Sequence, residues 1–248
     1  MILVSNDDGI HSEGLRALHE AMSRLDEVVV VAPDRERGAV SHSLTLHRPL
    51  RVTEVAPRWY AIDGTPADCV FVALNRVLHE APRLAVSGIN RGPNLGDDVT
   101  YSGTVGAAME AALVGVPAIA FSLAARDAFR FEAAAGFAGE LAAAVLREGM
   151  PSDVFLNVNV PEGPPEAIRS FAVTRLGRRR YSDSVSENVD PRGRKYYWIG
   201  GDEIEPPAQP GTDVAAVRGG AVSVTPIHVD LTHHGCVERI ARMDVRWP

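Results

Sequence analysis

Two carboxylates stand side by side, Asp7 and Asp8, in the segment Ser5-Asn6-Asp7-Asp8-Gly9 that follows the apolar run Ile2-Leu3-Val4. Adjacent carboxylates repel each other unless a cation or a proton lies between them. Oxygen donors of this type suit Mg²⁺, Mn²⁺ or Ca²⁺. On an extended strand the two side chains would point to opposite faces, whereas in a turn both reach one ion. The plainer account is that one Asp caps the next helix and the other is solvated. A second segment, Ser87 to Asp98, is dense in Gly and Asn. Such a loop lets backbone approach a ligand closely, and its Asn90 and Asn94 offer neutral oxygens and amide donors; a surface turn before a helix has the same composition. A third, Tyr101-Ser102-Gly103-Thr104, opens a helical pattern. Hydroxyls and free N–H groups at a helix start suit an anion, and they equally suit simple capping. The fourth, Pro33 to Ser43, carries Arg35, Arg37, Ser41 and Ser43, an arrangement open to phosphate recognition or to a charged surface loop.

These segments share a placement. Apolar runs at Ile2–Ser5, Glu27–Ala32, Leu84–Ser87, Val116–Ser122 and Val154–Val160 read as buried strands. Between them, Glu13–Leu25, Pro66–Leu78, Ser102–Val114 and Phe129–Glu148 carry helical spacing. The alternation predicts a parallel sheet with helices on both faces. Ligands in such sheets sit beyond the carboxyl ends of the strands. Three of the four segments follow predicted strands and the remaining one opens the helix downstream, so all converge on one crevice. Residues 51–64 read as a hairpin excursion around Pro57. Nine of the 17 prolines fall after residue 160, with basic turns at Gly177–Arg180 and Asp190–Lys195 and strands at Arg194–Ile199 and Val222–Val229. The expected organisation is an α/β domain over residues 1–160, Rossmann-like with three α/β/α layers and a mostly parallel sheet. Residues 161–248 read as a β-rich extension of irregular arms rather than a second full core, of the kind that packs on a neighbouring subunit or over a site.

With 46% hydrophobic and 23% charged residues over 248 positions, the chain is neither disordered nor dependent on disulfides for a core. A formal charge of −7 argues against a grip on a nucleic-acid duplex, though not against a small nucleotide. Two cysteines, Cys69 and Cys236, exclude a disulfide scaffold or a multi-cysteine zinc site. No apolar stretch reaches the ~18 residues of a membrane span, and the opening residues lack the basic head of a signal peptide. A cytoplasmic location, with no membrane partner, is the expectation.

The chain resembles the survival protein SurE family of metal-dependent 5′/3′-nucleotidases. The matching segments are SNDDG at 5–9, VVAPDRER at 30–37, SHSLTLHRPLRV at 41–52, GTPADCV at 64–70, SGINRGPNLGDDVTYSGTVGAAMEA at 87–111 and NVNVP at 157–161, followed by GTDVAAV and VSVTPIHVDLT in the tail. The resemblance implies hydrolysis of nucleoside monophosphates to nucleoside and phosphate, with polyphosphate trimming in some members. It implies a divalent ion, Mg²⁺ or Mn²⁺, on Asp7, Asp8 and Asn90. It implies a phosphate held by Asn94, Ser102, Gly103 and Thr104, with Asp7 or Asp8 taking a proton from the attacking water. It further implies a homodimer or homotetramer.

One position departs from the family pattern. The serine that closes the Asp-Arg-x-Arg-Ser loop, a metal ligand in the family, is Gly38 here. A water, the Gly38 carbonyl or Ser41 would have to fill its place. The departure keeps a rival reading in view, a non-catalytic nucleotide- or phosphate-binding module. A dinucleotide-dependent oxidoreductase lacks its GxGxxG fingerprint. A phosphatase working through an aspartyl-phosphate would need Asp-x-Asp rather than adjacent Asp7 and Asp8. His42 and His228 are candidates for an auxiliary polar role.

Overall fold

The computed structural model describes residues 1–168, 170–181, 185–200, 203–204 and 209–245. β1 (Ile2–Ser5) and β2 (Val28–Pro33) are buried along their whole length, as strands covered on both faces must be. Between them, α1 (Glu13–Met22) turns Leu15, Leu18, Ala21 and Met22 inward and begins at Ser12, whose hydroxyl accepts the Leu15 N–H. β3 (Val52–Ala56) and β4 (Trp59–Ile62) form the expected hairpin, but it is no excursion: β4 runs parallel to β2 and extends the sheet. α2 (Pro66–Val72) opens on a Thr65–Asp68 capping box with Pro66 in its first turn, and a π-helical turn, Ala73–Val77, replaces the rest of the expected single helix.

β5 (Leu84–Arg91) is longer than its apolar run, because pairing with the next strand resumes at Asn90 after an irregularity that begins at Ser87. Gly88 lies in that irregularity with φ +131°, and a Cβ there would sit 2.3 Å from the Phe121 carbonyl oxygen. Asn90 therefore stands on a strand end rather than in a loop, which corrects the reading of 87–98 as one irregular segment. α3 (Gly103–Leu113), β6 (Ala118–Ala124), α4 (Glu132–Glu148) and β7 (Val154–Pro161) complete the α/β alternation.

Beyond these lie β8 (Phe171–Val173), β9 (Arg180–Tyr181), β10 (Val185–Val189), β11 (Lys195–Ile199), β12 (Glu203–Ile204), α5 (Asp213–Arg218), β13 (Val222–His228) and α6 (His234–Ala241). The main sheet has nine strands in the order β3-β4-β2-β1-β5-β6-β7-β13-β8. Its parallel run β4-β2-β1-β5-β6-β7 is the doubly wound order, and strand succession reverses between β1 and β5. β13 enters antiparallel to β7, and β8 pairs with β13. Part of the tail thus belongs to the same sheet as the first 160 residues. β10 and β11 make a separate exposed hairpin closed by the Asp190–Arg194 turn. Gly177–Arg180 is not a turn: Arg179 pairs with Asp98, and Arg178 lies 3.6 Å from Asp97. Pro206, Pro207 and Pro248 lie outside the described residues.

Two apolar layers sandwich the sheet. Leu15, Leu18, Phe121, Val158 and Val160 pack on the face covered by α1 and α4. Val70, Ala108, Ala111 and Phe155 pack on the face covered by α2 and α3. Each such large side chain contributes roughly 1.5–3 kcal/mol by leaving water. Both cysteines are free thiols. Among the described residues, no helix is long and apolar enough to cross a membrane.

Candidate active site

The reversal between β1 and β5 opens a crevice, and the polar segments meet there. Asn6 is fully buried and donates from Nδ2 to Gly9 O and Ser12 Oγ. That closes the β1–α1 turn and leaves α1 capped by Ser12. Neither Asp7 nor Asp8 is spent on capping. Gly9 takes φ +96° in this turn, and a Cβ there would meet the Arg35 carbonyl carbon at 2.9 Å.

Asp7 is 5% exposed and accepts a hydrogen bond from the Thr104 hydroxyl. Burial, reinforced by the charge of Asp8, pushes its pKa up to about 6, against the opposing Thr104 bond. Asp8 is half-buried and accepts the Arg91 N–H at 3.2 Å. Burial raises its pKa, and the carboxylate of Glu36 adds to the effect. Asn90 donates from Nδ2 to Gly92 O at 3.0 Å, so its side-chain oxygen is the group left for a cation. The Arg37 N–H donates to Asp7 O at 2.7 Å and brings in the loop after β2.

Asp7, Asp8, Glu36, Asn90, Asn94 and Ser102 are among the residues lining the resulting cleft of about 260 Å³, with Gly38, Arg91, Asp98 and Tyr101 around them. A larger groove of about 790 Å³ runs between α1 and α4, but it contains none of these groups. Three lining residues escaped the sequence reading as site groups: Glu36, Arg91 and Asp98. Charged residues in a loop or at a strand end carry no signal of direction, so only the fold could place them.

Ser102 caps α3 by accepting the Val105 N–H at 3.1 Å, and it also faces the cleft. Gly103 is required by contact: a Cβ there would sit 2.9 Å from Asp7 Cβ and 3.0 Å from Pro66 Cγ. Thr104 is fully buried and its hydroxyl goes to Asp7, so it supports that carboxylate and does not line the cleft. Asn94 lines the cleft with its Nδ2 donated to Ser122 Oγ at 2.8 Å. Gly38 faces the cleft with open space at its Cβ position, Glu36 Oε1 being nearest at 3.8 Å. Ser41 is turned away, its hydroxyl donating to Thr100 O at 2.7 Å. His42 pairs with Glu110 and His228 with Asp153; neither lines the cleft.

The donor set fits a hard divalent cation. Two carboxylates held close, one of them fully desolvated, and a neutral amide oxygen are the ligands such ions take. Acidic groups outnumber basic ones around the cleft, so an anionic substrate would be repelled without a counter-charge. Among the described residues, no three His, Cys, Asp or Glu side chains converge as a ready-made cage.

The chain is similar to known proteins over nearly its whole length. The family model described as Survival protein SurE matches residues 2–183. A protein from Geobacter sulfurreducens named 5′-nucleotidase SurE is 53% identical over 98% of this chain and 94% of its own length. One of the same name from Myxococcus xanthus is 58% identical over 94% of this chain and 89% of its own. The crystal structure of the SurE protein from Aquifex aeolicus superposes with a TM-score of 0.88 at 46% identity, covering 96% of this chain and 97% of that one.

Proposed function

This chain belongs to the SurE family, and on that premise we propose that it is a divalent-metal-dependent 5′-nucleotidase. Its substrate is a nucleoside monophosphate, cleaved to nucleoside and inorganic phosphate. The observation that carries the reading is the Asp7–Asp8 pair at the β1/β5 reversal, with Asp7 pushed up to about 6 and Asn90 on the adjacent strand end. Asp7, Asp8 and Asn90 would hold Mg²⁺ or Mn²⁺. When bound, such an ion acidifies water and screens charge on phosphoryl oxygens.

The chain's own groups supply the rest. Thr104 fixes the rotamer of Asp7, and the Arg91 N–H fixes that of Asp8. One carboxylate of the pair accepts the proton of the attacking water as its oxygen bonds to phosphorus. The phosphorus–oxygen ester bond then breaks, and the proton held by the carboxylate passes to the ester oxygen as the nucleoside leaves. Ser102 and Gly103 at the start of α3, and Asn94 in the loop after β5, would hold the phosphoryl oxygens. Thr104 acts on this anion site by holding Asp7 beside it. Tyr101, 66% exposed on the rim, offers a flat apolar face to the nucleoside.

Residues 161–248 are read as the subunit-pairing part of the chain. The hairpin β10–β11 exposes Tyr197, Trp198 and Ile199 at 57%, 66% and 87%, a surface suited to a second copy in a homodimer or homotetramer. A cytoplasmic location suits the free thiols.

Phosphate release from a panel of nucleoside monophosphates, with EDTA, Mg²⁺ or Mn²⁺ added in turn, tests the assignment. Metal-restored release is expected. A folded protein that releases no phosphate under any metal would instead be a nucleotide-binding module.

A further inference from the structure

Asn94 is held more completely than a loop residue needs to be. Its N–H donates to Asn159 Oδ1 at 2.8 Å, and its carbonyl accepts from Asn159 Nδ2 at 3.0 Å and Asn157 Nδ2 at 2.8 Å. The side chain of Asn159 thus reads the Asn94 peptide groups as a neighbouring strand would. The Asn94 side chain is fixed as well, by its bond to Ser122 Oγ. Asn157, Asn159 and Ser122 have no solvent exposure. Buried amides and hydroxyls are costly unless they are bonded, so β6 and β7 spend polar groups in the core on this one residue.

The register explains how they reach it. Asn90 pairs with Ser122, and Ser122 with Asn159, giving a polar row across β5, β6 and β7 at the mouth of the crevice. Asn157 and Asn159 share one face of β7 by the two-residue period, while Val158 and Val160 pack in the layer on the other face. What Asn94 then has left for the cleft is one amide hydrogen and the side-chain oxygen.

We infer that Asn159, with Asn157 and Ser122, is a positioning residue that sets the Asn94 amide for the phosphoryl group, an inference that rests on the nucleotidase reading above. The three residues touch no substrate; they act through Asn94. They also leave Asp7 and Asp8 untouched, so phosphate recognition and metal binding respond separately to their loss.

The test compares Asn159→Leu, Ser122→Ala, Asn94→Ala and the Asn159→Leu/Asn94→Ala double variant in the full-length protein. Asn159→Leu is expected to lower kcat/KM for a nucleoside monophosphate about 10–100-fold, the range seen when an outer-shell partner is lost. Half-inhibition by inorganic phosphate should move to higher concentration by a similar factor. The Mn²⁺ concentration giving half of the thermal stabilisation should stay unchanged. In the Asn94→Ala background the second substitution should add little, since both act through one group. Ser122→Ala removes one hydroxyl and carries the same test should Asn159→Leu fail to fold. Folded variants with wild-type phosphate inhibition and kcat/KM would overturn the inference, as would losses that multiply fully in the double variant. Should the wild-type protein show no turnover, the nucleotidase reading fails. The clamp is then judged by thermal stabilisation with inorganic phosphate in the presence of Mn²⁺, which Asn159→Leu should abolish.

Discussion

Thr104 donates its hydroxyl hydrogen to Asp7 Oδ1, joining the first turn of α3 to the turn after β1 across 97 residues of chain. Through that bond, a residue of the first turn of α3 also sets the rotamer of a candidate metal ligand.

Asp7→Asn keeps the shape and the Thr104 contact but removes the charge. Turnover should fall by at least about 100-fold. Stabilisation by Mn²⁺ should fall with it, while the melting temperature in EDTA stays level or rises. Retained turnover in a folded Asp7→Asn protein would remove Asp7 from the mechanism.

The pH dependence of the metal-free protein has a definite sign. The folded-state pKa of Asp7 is about 6, against an ordinary 3.8. Well below pH 3.8 the group is protonated in both states and makes no difference. As pH climbs from 4 through 6 the unfolded chain ionises first, so the folded state loses stability. The loss is on the order of 3 kcal/mol at neutral pH, taken from a pKa raised from 3.8 to about 6. A cation at the pair offsets that loss. The rise in melting temperature on adding Mn²⁺ should therefore be small at pH 5 and large at pH 7.5. An equal rise at both values would show that the ion binds elsewhere.

Gly38→Ser restores a hydroxyl where the cleft has room for it, the nearest atom to its Cβ being Glu36 Oε1 at 3.8 Å. Gly38 also lies outside the positive-φ glycines, so a side chain costs no backbone strain. The Mn²⁺ concentration for half-maximal activity should drop on the order of tenfold, about 1.4 kcal/mol of added binding. An unchanged metal requirement would mean that the position is no ligand in this chain.

Gly103→Ala should damage both stability and activity, because its Cβ would press Asp7 Cβ at 2.9 Å and Pro66 Cγ at 3.0 Å. A cost of about 1–3 kcal/mol is expected from such overpacking. Gly136→Ala in α4, with nothing within 4 Å of its Cβ, is the control and should be neutral or stabilising by about 0.5–1 kcal/mol. Thermal melts of the two variants give the comparison.

Much of this was legible from residue order. The alternation of apolar runs with helical spacing gave the parallel sheet and its helices, and adjacent Asp7 and Asp8 marked the crevice. Less was visible where function depends on register. Asn90 looked like a loop residue because Gly88 interrupts the apolar run that would have extended β5. Asn157 and Asn159 carry no role in the sequence pattern, since nothing local shows that a strand will spend two amides on a distant peptide. Thr104 read as a phosphate group, and its burial against Asp7 emerges only when α3 is docked. The tail looked like irregular arms because β13 pairs with β7 across a long connection. Its two-sided burial leaves Val222, Ser223, Val224 and Thr225 inward without a clean alternation.

Asp213 is fully buried near the far end of the chain, and it accepts the Gly96 N–H with one carboxylate oxygen and the Gly177 N–H with the other. A ribosome delivers Gly96 117 residues before it delivers the carboxylate that holds it. The nascent chain therefore carries Asp7, Asp8 and Asn90, and then the Ser122, Asn157 and Asn159 partners of Asn94, well before the Gly96 end of that loop is fastened. Because long-range closures of this kind come late and slowly, the Gly96 end of that loop gains its buried carboxylate only after translation has passed Asp213.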